Sequence, residues 1–213
     1  MREKVIKSIL ENKIIAIIRG LEPEKVINVA KALNRGGIKL IEVTFNQKAT
    51  DNFKATTDAI SAIKENCPNV LVGAGTVLTK QQVDLAILAG AKYIISPDTD
   101  EEIIRYSVRK GLVSLPGAYT ASEVKKAYSY GADFVKLFPC MDVEYLKALK
   151  APLSHIKFLA VGGINLENAS TYIKAGAVGV GVGSSLVNKK FVEEKNWEAL
   201  TNLAKQFIEK VGL

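Results

Sequence analysis

The 213-residue sequence predicts an α/β fold, a TIM-type (β/α)8 barrel with an extra helix ahead of its first strand. Three observations carry that expectation. Eight short apolar runs, rich in Ile, Val and Leu, recur at 14–18, 39–43, 70–74, 92–95, 112–115, 133–137, 157–161 and 178–182. Nearly uninterrupted runs of that length are how parallel strands buried on both faces read. Segments of helical periodicity lie between them, and several end in glycine just before the next run, as at Gly37-Ile38, Gly90-Ala91, Gly111-Leu112, Gly131-Ala132 and Gly176-Ala177. Glycine there accepts the left-handed φ that closes a helix. The unit repeats eight times over a length suited to one barrel, so closure is favoured over a doubly wound open sheet, which stays the alternative.

Taken in order, a helix over 2–11 precedes the first strand. Thr79, with Gln82 three residues on, has the form of a capping box. Ser122 is placed to cap the fifth helix and Asn165 the seventh. In the last helix Leu200, Leu203, Phe207 and Val211 form one stripe. No linker or low-complexity stretch interrupts the pattern, so one domain is expected across 1–213.

Composition narrows the function. Hydrophobic residues make up 48% of the chain, yet no apolar run reaches the ~18 residues that span a bilayer. Met1-Arg2-Glu3-Lys4 leads into an amphipathic helix, not an apolar signal core. A soluble, cytoplasmic protein without membrane contact is expected. Cys67 and Cys140 form no CxxC pair, which argues against a zinc site and a disulfide framework. His155 is the only histidine, which argues against His-based triads and His-rich metal sites, and acid–base work falls to Glu, Asp, Lys or Tyr; no cofactor is expected. The formal charge of +7 favours an anionic partner. The lysines are dispersed and no nucleic-acid motif is present, which points to a small phosphorylated acid rather than nucleic acid.

In a barrel the site lies at the C-terminal strand ends. There the sequence places Arg19, Glu42 and Thr44, Gly73-Ala74-Gly75-Thr76, Ser96-Pro97, Pro116-Gly117, Lys136, Gly162-Gly163 and Gly183-Ser184. By the period of two, Phe134, Lys136 and Phe138 share one strand face. A lysine between phenylalanines is either desolvated, with a lowered pKa and a nucleophilic amine, or snorkels to solvent. Glu42 sits inside an apolar strand, either facing Lys136 across the mouth or held in a structural ion pair, for instance with Arg19. Gly162-Gly163, leading into a helix, and Gly183-Ser184 suit a phosphate after strands seven and eight, or simply make tight turns. Cys140 is read as incidental and His155 as structural.

Over nearly its whole length the chain resembles the 2-keto-3-deoxy-6-phosphogluconate (KDPG) and 4-hydroxy-2-oxoglutarate (KHG) aldolases. The resemblance rests on Ile41-Glu42-Val43-Thr44, Val72-Gly73-Ala74-Gly75-Thr76-Val77, Ile95-Ser96-Pro97, Leu115-Pro116-Gly117, Val135-Lys136-Leu137-Phe138-Pro139, Gly162-Gly163-Ile164 and Gly181-Val182-Gly183-Ser184. It implies a metal-free, homotrimeric barrel enzyme that takes a phosphorylated 2-keto acid and yields pyruvate. It implies Lys136 as Schiff-base lysine and Glu42 as general acid/base working through a water. Arg19 and Thr76 resemble residues that hold the carboxylate end, and Pro97 and Phe138 resemble pocket walls. Gly162, Gly163, Gly183 and Ser184 resemble the phosphate cradle. Many KDPG aldolases carry Pro-Thr before the Gly-Gly, where Ala160-Val161 stand here. Arg19-Gly20, Asn46 and Val161 are more similar to relatives acting on 2-keto-3-deoxy-6-phosphogalactonate, the C4 epimer, and a valine in place of threonine removes a donor that would enforce one configuration. Two competing functions remain: another phosphate-binding barrel enzyme, of the thiamine-phosphate or indole-glycerol-phosphate type, and a non-catalytic binder of a phosphorylated ligand. Asp98 and Asp100 add negative charge near the mouth, with no role assigned.

Overall fold

The computed structural model describes residues 2–213. Helix α1 (Arg2–Asn12) comes first. Then β1 (Ile14–Ile18), α2 (Pro23–Arg35), β2 (Leu40–Thr44), α3 (Lys54–Asn66), β3 (Leu71–Gly75) and α4 (Lys80–Ala89) alternate. They are followed by β4 (Tyr93–Ile95), α5 (Glu101–Arg109), β5 (Val113–Leu115), β6 (Gly117–Ala118), α6 (Ala121–Ser129) and β7 (Val135–Leu137). The rest is α7 (Val143–Lys150), β8 (Phe158–Val161), α8 (Ala169–Lys174), β9 (Gly179–Val182), α9 (Lys189–Glu193) and α10 (Trp197–Lys210). No helix among the described residues is long and apolar enough to cross a membrane.

All strand pairs are parallel, in the order β5-β4-β3-β2-β1-β9-β8-β7-β6. The two ends of that order are halves of one strand, parted only by Pro116, so the sheet closes on itself. Lys136 N donates to Pro116 O at 2.9 Å and Phe134 N to Ser114 O at 3.4 Å across the seam. The barrel is therefore as expected, with one correction. Pro116-Gly117 lies within the fifth barrel strand, not at its end; proline has no N–H to give the ladder, so that strand is divided there into β5 and β6.

Side-chain alternation divides the core in two. Outward residues such as Ile14, Ala16, Ile41 and Val135 pack under the helices. Inward residues Ile15, Leu40, Tyr93, Val113, Phe134 and Leu159 fill the barrel, and Val5 and Ile9 of α1 close it from below. Arg2 ties α1 to Asp133 in an ion pair of 2.8 Å. Gly73 makes room for this filling, since a Cβ there would overlap the Tyr93 ring.

Helix starts follow the sequence in part. Thr79 caps α4 by accepting from Gln82 N, but the Gln82 side chain accepts from Leu78 N, so the box is only half formed. Helix α6 is capped by Thr120, not Ser122, through a full capping box with Glu123. Helix α8 begins at Ala169, later than a cap at Asn165 predicts. Asn165 Oδ1 accepts from Glu167 N and Asn168 N, and Asn168 Oδ1 accepts from Asn165 N, so a closed asparagine turn occupies those amides first. In α10, Leu200 and Phe207 are fully buried, with Val211 just behind the helix end.

Candidate active site

Strand β7 carries Lys136 into the upper barrel, between Gly117 on β6 and Leu159 on β8. Strand β2 carries Glu42 there, between Ile17 and Gly73. Lys136 is 6% exposed and Glu42 2%. Both line one inner cavity of about 10 Å³ with Ile15, Ile95, Leu115, Leu159, Val161 and Gly181. Room for Glu42 comes from Gly75, where a Cβ would overlap its Oε1.

Neither head group is neutralised by a close partner. No ion pair within 4.0 Å and no hydrogen bond engages Glu42 among the described residues, so the structural pair with Arg19 does not form. Lys136 Nζ sits 4.5 Å from the Phe138 ring centroid, a cation–π contact and not a salt bridge. Among the described residues only Ser107 Oγ is both sealed and unpartnered, so both groups keep a solvent-facing atom. Burial pushes the Lys136 ammonium below its ordinary value and Arg19 adds to that, while the Glu42 charge opposes it. Burial raises the Glu42 carboxyl, against the pull of Lys136 and Arg19. A lysine biased to the free amine thus shares a cavity with a carboxyl biased toward holding a proton, a pairing suited to imine formation and proton transfer.

One storey higher on β1 and β9 lies a wider cleft of about 500 Å³. Ile17 and Gly183 follow Ile15 and Gly181 of the inner cavity by two residues, so cleft and cavity are stacked. Arg19 and Ser184 line it, and so does Lys189, which sequence reasoning missed because it lies seven residues beyond the strand end. Gly162 and Gly163 sit on the neighbouring loop with φ of 114° and 67°, beside Pro139, Cys140 and Met141. They line neither space, and no helix N-terminus stands directly behind them, since Asn165 and Asn168 consume the following amides. Thr76 stands half-buried after β3, Pro97 after β4, and Phe138 at the rim, 36% exposed. Ile95, Leu115 and Gly181, present in the sequence only as parts of motifs, line the inner cavity too; Ile95 shares its face with Pro97 and Gly181 with Gly183 by the period of two. Asp100 acquires a plain role, accepting from Ile103 N as the cap of α5. Asp98 is exposed beside it, its carboxyl raised by partial burial and by the Asp100 charge. Cys140 is buried and its thiol is pushed up to about 11, so it is inert. His155 stacks edge-on against Tyr128 at 4.9 Å, below the barrel.

Comparison with known proteins points to one family. The sequence profile of the aldolase family described as KDPG and KHG aldolase matches residues 5–203. A 2-dehydro-3-deoxy-phosphogluconate aldolase of Treponema pallidum is 31% identical over 94% of both chains. A 2-dehydro-3-deoxy-6-phosphogalactonate aldolase of Escherichia coli is 34% identical over 93% of this chain and 96% of its own. The crystal structure of KDPG aldolase from Legionella pneumophila, with pyruvate captured as a covalent carbinolamine, is 28% identical over 94% of this chain and 96% of that one, with a TM-score of 0.84.

Proposed function

The chain belongs to the KDPG and KHG aldolase family, and from that premise we propose a class I aldolase whose Lys136 forms a Schiff base with 2-keto-3-deoxy-6-phosphogluconate. The products are pyruvate and glyceraldehyde 3-phosphate, and 4-hydroxy-2-oxoglutarate is a further substrate. The observation that carries this reading is the shared inner cavity of Lys136 and Glu42, both buried and neither held in an ion pair.

The neutral amine of Lys136 attacks the C2 carbonyl to give a carbinolamine, and loss of water leaves an iminium. That cation accepts the electron pair of the C3–C4 bond. Glu42, as carboxylate, takes the C4 hydroxyl proton directly or through a water, and the aldehyde departs. The enamine is protonated at C3, and water releases pyruvate and restores the amine. Lys136 and Glu42 line the inner cavity, and the cleft of about 500 Å³ stacked on it, lined by Arg19, Gly183 and Ser184, receives the rest of the substrate. Arg19 and Thr76 serve the carboxylate end, and Pro97 and Phe138 wall the pocket. Gly183 and Ser184, with Gly162 and Gly163 on the next loop, serve the phosphate. The same reading carries a cytoplasmic homotrimer of one domain per chain, residues 1–213, which light scattering would register as three times the chain mass.

A second reading has its own observation. Val161 lines the cavity that holds Lys136 and Glu42, so a methyl stands where a hydroxyl would help select the C4 configuration. It favours activity on the galactonate epimer or weak discrimination between the two.

Incubation with pyruvate, borohydride reduction and digestion tests the main reading. A mass adduct on Lys136 is expected; an unmodified Lys136, or label scattered over surface lysines, overturns it. Comparing kcat/KM for the two epimers tests the second. A gluconate preference above about a thousandfold, ~4 kcal/mol, removes it.

A further inference from the structure

Thr76 leaves β3 with φ of 55°, a region that β-branched residues seldom adopt. The turn behind it is tied down from three sides. Gln47 Nε2 donates to Thr76 O at 2.7 Å. Ser96 Oγ donates to Val77 O at 2.8 Å, and Val77 N donates to Ile95 O at 3.2 Å. Gln82 Oε1 accepts from Leu78 N at 2.7 Å, and Gln82 Nε2 donates to Gln47 Oε1 at 2.9 Å. Gln82 is fully buried and Ser96 4% exposed.

The direction of this relay is fixed at both ends. Leu78 N–H can only donate, so Gln82 turns its oxygen to it and its nitrogen to Gln47. Gln47 must then accept with its oxygen, which leaves its nitrogen for the Thr76 carbonyl, a group that can only accept. The peptide backbone is over-determined while the Thr76 hydroxyl has no protein partner among the described residues and is not sealed from solvent. Capping of α4 requires only the Thr79 bond to Gln82 N, so the Gln82 amide is spent on the Thr76 turn and not on its own helix.

We propose that Gln47, Gln82 and Ser96 are positioning residues that hold Thr76 in its left-handed conformation and so aim its free hydroxyl at the carboxylate of the bound 2-keto acid. This rests on the reading of Thr76 as a carboxylate-binding residue. The clamp acts on affinity for the keto-acid end and not on the chemistry at Lys136.

The test is borohydride trapping over a pyruvate series, with kcat and the melting temperature measured alongside. Gln47→Leu changes an exposed side chain, Gln82→Met keeps the buried volume without the amide, and Gln82→Glu keeps the shape but cannot donate to Gln47 as a carboxylate. Each is expected to raise half-saturating pyruvate about tenfold, with kcat changed less than about threefold. Thr76→Ala is expected to raise it at least as far, and Gln47→Leu added to Thr76→Ala to change it less than about twofold further, because the clamp has lost what it aims. If the glutamine variants lower the melting temperature but leave half-saturation within about twofold while Thr76→Ala raises it, the clamp is overturned and the carboxylate reading stands. A full additional effect in the Thr76→Ala background likewise overturns the clamp. If Thr76→Ala itself leaves pyruvate affinity unchanged, the carboxylate reading falls and takes the clamp's functional role with it.

Discussion

Phe134 and Lys136 lie two residues apart on the same inward face of the barrel, yet one belongs to its floor and the other to its mouth. Phe134 belongs to an apolar cluster in which Leu40, Val113, Leu159 and the α1 residues Val5 and Ile9 close the space. Around Lys136 the filling stops short, glycines stand at 75, 117 and 181, and the Glu42 carboxyl and the Lys136 amine stand without an ion pair. A step of about 7 Å along one strand separates these worlds. Stability is concentrated where the barrel is filled, and reactivity where it is left unfilled and charged, because a buried unpaired ion costs several kcal/mol that only function retains.

The sharpest way to break that contrast is Lys136→Met, which extends the floor into the mouth. Turnover and pyruvate adduct are expected to vanish, a loss of more than about a thousandfold, while circular dichroism stays that of the folded barrel. Phe134→Ala does the reverse at the floor. It should destabilise by about 3–5 kcal/mol in urea unfolding and leave pyruvate half-saturation of the folded fraction unchanged. Glu42→Gln should lower kcat by about 10²–10⁴-fold. It carries a signed pH effect as well. Wild-type trapping should rise with pH, with a midpoint below the ordinary lysine value of 10.5, since burial favours the free amine. The Glu42 charge holds that midpoint up, so the variant's trapping curve should move to lower pH; a move to higher pH would contradict the geometry. In stability the depressed Lys136 value means that the unfolded chain binds more protons in this window, so lysine burial costs less as pH rises through it. Val161→Thr should shift the epimer ratio toward the gluconate form by about tenfold in kcat/KM, with little change in melting temperature. Smallest is Arg2→Ala, which unties α1 from Asp133; Arg2 is 36% exposed, so about 1 kcal/mol of floor stability is at stake and none of the activity.

Much of this was legible in the sequence because its signals are local. Strand positions followed from apolar runs, and the glycine ends of helices from the φ that only glycine takes easily. Lys136 and Glu42 stood out because a charge inside a buried strand is costly wherever it occurs. What misled were signals that several residues satisfy equally. Ser122 and Thr120 both fit a cap, and only Thr120 has Glu123 at the reciprocal position. Asn165 looked like a helix cap because nothing in one dimension shows that Asn168 folds back on it. Lys189 and the Gln47–Gln82 relay escaped because they meet the strand ends from loops and helices, at separations that no periodicity marks.

The sequence by itself determined the alternation of strands and helices, the inward face of each strand and the two residues that carry unpaired charge, since these depend on residue type and on a period of two or 3.6. Only the tertiary structure decided that Pro116 is the seam at which the barrel closes, that Lys136 and Glu42 share one cavity, and that Arg19, Ser184 and Lys189 stand one storey above it. Those are facts about separations across the barrel, fixed by strand register and by glycines that let side chains approach, and a linear pattern contains neither.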